Sequence, residues 1–173
     1  PKREYAFAQE VTGAVRRQNE LRSEKNRLLG EIETLSKWKG LGFSLGFTGT
    51  KHTGVLLGML PAQLDVNDFS TKLSEAGLIA EVQTVSTDKD AAYLAVIYHK
   101  SSEGELQRLL PQLGFSTAAV SGDDVPEAVI GRLLERIGVL EGEAEAAVAG
   151  LKEMAKDKAR LEVLYDYLSE CIE

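Results

Sequence analysis

Apolar residues recur at alternating steps of three and four along the C-terminal part of the chain. The series is Ile130, Leu133, Ile137, Leu140, Ala144, Ala147, Leu151, Met154, Leu161, Tyr165, Leu168 and Ile172, with Lys158 its single break. Six heptads at this spacing make one side of a coiled-coil seam, and a seam requires a partner helix. The N-terminal part supplies one. Phe7, Val11, Ala14, Leu21, Leu28, Ile32 and Leu35 follow the same rule, with Gln18 and Lys25 as polar interruptions. The spacing predicts two long helices, residues 1–38 and 126–173. At ~1.5 Å rise per residue they are roughly 57 and 70 Å long. The second has a marked start: Asp124 as N-cap, Pro126 in the first turn, and Glu127 three residues on in a capping-box arrangement.

The middle, residues 39–125, has a different rhythm. Gly40, Gly42, Gly46 and Gly49 end the first helical pattern. Val55 to Leu60 is a short apolar run closed by Pro61 and reads as a strand. Asp65 to Ala76 is helical, with Val66, Phe69, Leu73 and Ala76 on one face and Gly77 as its stop. Leu78–Val85 and Ala92–Tyr98 read as strands joined by a polar hairpin turn over Ser86–Asp90. Ser102 and Glu105 suggest a second capping box before Leu106, Leu109, Leu110 and Leu113, and Gly114 stops that helix. Phe115–Val120 is a last strand. The order is β-α-β-β-α-β, the ferredoxin-like split motif. Leu41–Thr48 is expected as an extra strand leading into it. The fold class is therefore α+β: a ferredoxin-like βαββαβ lobe at the tip of a long antiparallel two-helix coiled coil.

Charge sorts by segment. Residues 1–38 carry net +2, residues 39–125 net −4 and residues 126–173 net −5, together the −7 of the chain. Opposite signs on the two arms favour their pairing with each other over self-pairing. On that arrangement Leu35 lies near Leu133 and the second arm outruns the first by about ten residues. Its end, Tyr165 to Ile172, is expected to pair with chain beyond this sequence. The second arm is also thin, with Gly138, Gly142, Ala144, Ala146, Ala147, Ala149 and Gly150 in succession. Each internal Gly costs ~1 kcal/mol of helix propensity against Ala. Close helix approach and a bend or compliant segment are both open readings.

The net negative charge disfavours a bulk electrostatic grip on nucleic acid or anionic lipid. One cysteine, Cys171, excludes an internal disulfide framework. No apolar run approaches the ~18 residues of a membrane span. The chain opens at Pro1 inside a charged helical pattern and reads as a piece of a longer protein. Material for chemistry is scarce: His52 and His99 have no Cys or His at ligand spacing. Gly40-Leu41-Gly42 fails the dinucleotide spacing, and Gly49-Thr50-Lys51 is no phosphate-binding loop. No catalytic residue, metal ligand or cofactor is expected. Trp38, where the first arm meets the lobe, reads as packing or as a partner anchor. Tyr165 falls on the seam, whereas Tyr167 lies off it and is freer to contact a partner.

Several stretches together resemble a known family. They are Leu35-Ser36-Lys37-Trp38-Lys39-Gly40-Leu41, Gly49-Thr50-Lys51 with Thr53, Gly58 with Leu60-Pro61, and Leu113-Gly114-Phe115. Gly122 with Pro126-Glu127-Ala128 and Leu164-Tyr165-Asp166-Tyr167-Leu168 complete the set. In this order they resemble the cytoplasmic half of subunit I, or subunit a, of V-type and archaeal-type rotary ATPases. The resemblance implies a distal α/β lobe with most of both coiled-coil arms, lying at the cytoplasmic face of the membrane. It implies a stator role in proton transport: a non-catalytic part linking the membrane sector to the peripheral stalks. Implied partners are the peripheral-stalk heterodimer, the subunit capping the central stalk, and the membrane sector through chain not present here. No nucleic acid and no cofactor are implied. Two other readings stand beside it, a ligand-sensing ferredoxin-like module with coiled-coil arms and the hinge of a chromosome-organising ATPase. The net −4 of the middle segment argues against the hinge.

Overall fold

The computed structural model describes residues 2–172, and the side chains of Leu161, Cys171 and Ile172 fall outside it. Residues up to Gly30, together with those from Leu134 onward, form one compact unit, and Glu31–Leu133 forms the other. The fold is α+β. Helix α1 spans Lys2–Ser36 and α4 spans Pro126–Ile172. Between them lie β1 (Thr53–Pro61), α2 (Val66–Glu75), β2 (Ala80–Thr87), β3 (Ala91–His99), α3 (Glu103–Gln112) and β4 (Ser116–Thr117).

In the Glu31–Leu133 unit the four strands form one antiparallel sheet in the order β2-β3-β1-β4. Strand β3 is buried from Ala92 to Val96 because the sheet is covered on both faces, which is why it reads as an unbroken apolar run. Its alternate side chains feed two cores. Leu94, Val96 and Tyr98 join Leu60 of β1, Phe69 and Leu73 of α2, and Leu106 and Leu110 of α3. Tyr93 and Ala95 face the other way, onto Leu35 and Trp38 at the end of α1, Leu41, Leu45, and Ile130 of α4.

Local chemistry ends each element where its residues require. Asp65 caps α2 by accepting from the Asn67 N–H at 2.8 Å. Gly77 and Gly114 take positive φ, 76° and 87°, just beyond the two short helices. In the β2–β3 turn the Asp88 carboxylate accepts from the N–H groups of Asp90 and Ala91 at 2.8 and 2.9 Å. The turn is tighter than the expected Ser86–Asp90, since β2 runs on to Thr87 and β3 starts at Ala91.

Four local expectations fail. Leu41–Thr48 is no strand. Its alternating Leu and Phe residues mimic one, but its backbone is spent in turns, with the Phe47 N–H on the Ser44 carbonyl and the Leu45 N–H on the Asp124 carbonyl. Strand β4 covers two residues of the expected six. Farther along β1, the Val55 N–H already donates to Thr48 at 3.0 Å and the Thr53 carbonyl accepts from Thr50, so that edge is taken. Ser102 makes no capping bond to α3, because its hydroxyl accepts the Ile79 N–H at 3.1 Å. Asp124 and Glu127 form no capping box. Asp124 accepts from the adjacent Val125 N–H, Glu127 accepts from the Gly40 N–H at 2.8 Å, and the Val125 carbonyl opens the helix.

In the other unit, α1 up to Gly30 and α4 from Leu134 run antiparallel. Lys25 meets Glu141 at 2.9 Å, Arg17 meets Glu143 at 3.1 Å, and the Lys158 ammonium lies 4.8 Å from the centre of the Phe7 ring.

Candidate functional site

The stripes expected to form a seam can be followed residue by residue. On α1, Leu21 and Leu28 are buried, and Phe7, Val11, Ala14, Gln18 and Lys25 are half-buried at the intervening positions. On α4, Ile137 and Leu140 are buried, with Ala144, Ala147, Leu151, Met154 and Lys158 half-buried. The expected seam positions Leu35 and Ile130 are buried in the sheet unit, where Ile32 and Leu133 flank the same core. Leu161 and Ile172 carry no described side chain. The stripe then emerges into the open: Tyr165 is 73 % and Leu168 51 % exposed, and Val163, Leu164 and Tyr167 beside them are exposed too.

Three polar residues interrupt the stripes, each accommodated differently. Lys25 turns outward to the Glu141 carboxylate. Lys158 lays its charge against the Phe7 ring, a cation–π contact worth ~0.5–1 kcal/mol at an exposed site. Gln18 is worse placed, since among the described residues its buried side-chain oxygen meets no hydrogen-bond donor. The glycines expected either to admit close approach or to mark a bend are informative here. A Cβ on Gly138, Gly142 or Gly150 would meet nothing within 4 Å. Close packing within this chain therefore does not account for them.

In the sheet unit Trp38 is 1 % exposed and packs edge-on against the Tyr93 ring, with centroids 5.7 Å apart. A side chain so enclosed packs as core, the first of the two readings of Trp38, and leaves no more than an edge at the surface. Around it lies a polar cluster that the sequence did not reveal. The Lys37 ammonium and the Tyr93 hydroxyl both donate to Oδ2 of Asp88, at 2.8 and 2.9 Å, and the Ser86 hydroxyl donates to the Lys37 carbonyl. The lysine and the two turn N–H groups hold the Asp88 carboxyl well below the usual carboxylate range. The same bond raises the Lys37 ammonium, while burial, and then the Asp88 bond, push the Tyr93 phenol up. Asp88 was legible only as a turn residue, because Lys37 is distant in sequence. Asp123, next to the expected N-cap Asp124, pairs with Arg132 at 2.7 Å.

Among the described residues no group of three or more His, Cys, Asp or Glu side chains could hold a metal ion. His52 and His99 stack at 6.4 Å, both exposed. No helix among the described residues is long and apolar enough to cross a membrane.

Comparison with known proteins is decided by shape. No family model matches the chain, and no curated protein matches it in sequence. Among solved structures it is similar to the crystal structure of the cytoplasmic N-terminal domain of subunit I, homolog of subunit a, of V-ATPase. The TM-score is 0.51 at 16 % identity. That likeness is one of fold. It covers 84 % of this chain and 51 % of the other, so the chain spans about half the length of that domain.

Proposed function

We propose that this chain is a non-catalytic stator element of a proton-translocating rotary ATPase of the V type. In this reading it links the membrane sector to the peripheral stalks at the cytoplasmic face. The observation that carries the reading is the fold likeness to the subunit I domain over 84 % of the chain. The reading agrees with the resemblance carried by the motifs named above, from Leu35-Ser36-Lys37-Trp38 to Leu164-Tyr165-Asp166-Tyr167-Leu168.

The finer parts of the proposal follow from the same reading. The stripes on α1 and α4 act as the seam of an antiparallel coiled coil, whose helices resist load along their length. The sheet unit is a ferredoxin-like lobe, for which the order β2-β3-β1-β4 with two helices on one face is the support. Its partners are the stalk heterodimer and the subunit capping the central stalk. The unsupported glycines of α4 give the beam local compliance, because each lowers helix stability without a packing return.

Mixing the chain with the purified peripheral-stalk heterodimer of the same organism tests this reading. Co-elution in size-exclusion chromatography as a defined complex is the expected result. Separate elution at concentrations of tens of micromolar, both for this chain and for the complete cytoplasmic half, would remove the proposal.

A further inference from the structure

The two edges of the sheet are protected to different degrees. Strand β2 carries Glu81 and a register irregularity between Thr84 and Ser86, both of which discourage a further strand. The β4 side has neither. From Phe115 to Ser121 the chain reads Phe-Ser-Thr-Ala-Ala-Val-Ser, without charge, Pro or Gly. The ladder fixes which way its amides point. Ala118 donates to the Leu57 carbonyl at 2.9 Å and Ser116 stands opposite Met59, so Thr117 between them directs its N–H and C=O away from β1, while Ala119 follows just past the ladder, at the rim of the same edge. Among the described residues no backbone partner outside the ladder and no side chain meets those groups, and both residues are exposed.

Beside this edge, a cleft of about 360 Å³ opens between Trp38, Met59, Tyr93, Ala118 and Val120. Ala118 and Val120 share one face of the extended segment. An added strand would place alternate side chains next to them, over the cleft. Glu33 stands at the mouth, as does Lys37, whose charge is already answered by Asp88. The middle segment is itself net negative, so the charge at the mouth favours a basic visitor.

We infer that the β4 edge and this cleft form a docking site for an extended segment of a partner protein, bound by strand addition. The segment places an apolar side chain in the cleft and a Lys or Arg near Glu33. The Thr117 and Ala119 amides supply the affinity, and the cleft supplies the choice of side chain.

A phage-displayed library of random dodecapeptides, selected against the whole chain, tests this. The expected winners alternate apolar residues and carry Lys or Arg, and as synthetic peptides they shift the amide resonances of Thr117 and Ala119. Ala119→Pro removes an N–H that no ladder bond uses, and Thr117→Lys charges the edge while keeping every backbone group. Each should weaken a selected peptide at least tenfold, and Thr117→Lys decides the matter if Ala119→Pro does not fold. Failure to enrich any peptide, or equal binding to the folded variants, overturns the inference. So does a dimer of the free chain that Thr117→Lys dissociates, because the edge then belongs to a second copy.

Discussion

Two glycines illustrate opposite uses of a missing side chain. Gly142 sits within α4 with open space where a Cβ would go, so Gly142→Ala should stabilise the chain by about 0.5–1 kcal/mol in urea denaturation. Gly58 in β1 lies under the Phe115 ring, where an added Cβ would come within 2.1 Å of that ring and 2.6 Å of the Ser116 carbonyl. Gly58→Ala should therefore destabilise, by roughly 1–3 kcal/mol as other overpacked cores do. Asp88 makes a third prediction, in pH. Its folded-state pKa is depressed, so its contribution is present above the unfolded value of ~3.9 and is lost only as pH falls through the lower folded value. The stability gap between wild type and Asp88→Asn should be flat from pH 5 to 8 and close only in stronger acid. Lys37 sets the alkaline side. Its pKa is raised, so the gap persists to pH ~10.4 and fades as pH rises past the folded value. Denaturation midpoints across pH check both limits.

The long elements were legible because their signal repeats. Two stripes at steps of three and four placed α1 and α4 within a residue or two, and the short helices were marked by Asp65, Gly77 and Gly114. Elements with little internal repetition were not. Leu41–Thr48 carries a strand's alternation, yet its hydrogen bonds go to turns and to Asp124, far along the chain. Strand β4 is short because residues 48–50 occupy the neighbouring part of the edge, a competition no local window contains. The cluster of Lys37, Asp88 and Tyr93 escaped notice for the same reason: its members meet only once the sheet has formed. The helix pair itself contains a weak point. Among the described residues the buried oxygen of Gln18 meets no donor, and an unmade hydrogen bond of this kind costs about 1–3 kcal/mol. Gln18→Leu should stabilise the chain by an amount of that order, read as a higher midpoint in urea denaturation. Gln18→Glu, which places a charge at the same position, should lower it.

On the scale of the whole molecule, stability and contact are carried by different parts. The covered sheet holds the densest core, with Leu60, Leu94, Val96 and Leu106 essentially without exposed surface. Large apolar side chains reach solvent chiefly on the helices, above all along Val163–Leu168. The proposed stator role assigns the long paired helices to linkage and the sheet unit to contact with a partner. On the stator reading, cross-linking within the intact rotary ATPase of the same organism is the most direct test of that role. Lys51, Lys72, Lys89 and Lys100 are exposed on the sheet unit and available to an amine-reactive linker. The stator reading predicts that they join to peripheral-stalk subunits, with the same pattern whether the enzyme is turning or inhibited. Cross-links confined to rotor subunits, or changing with the rotary state, would contradict it.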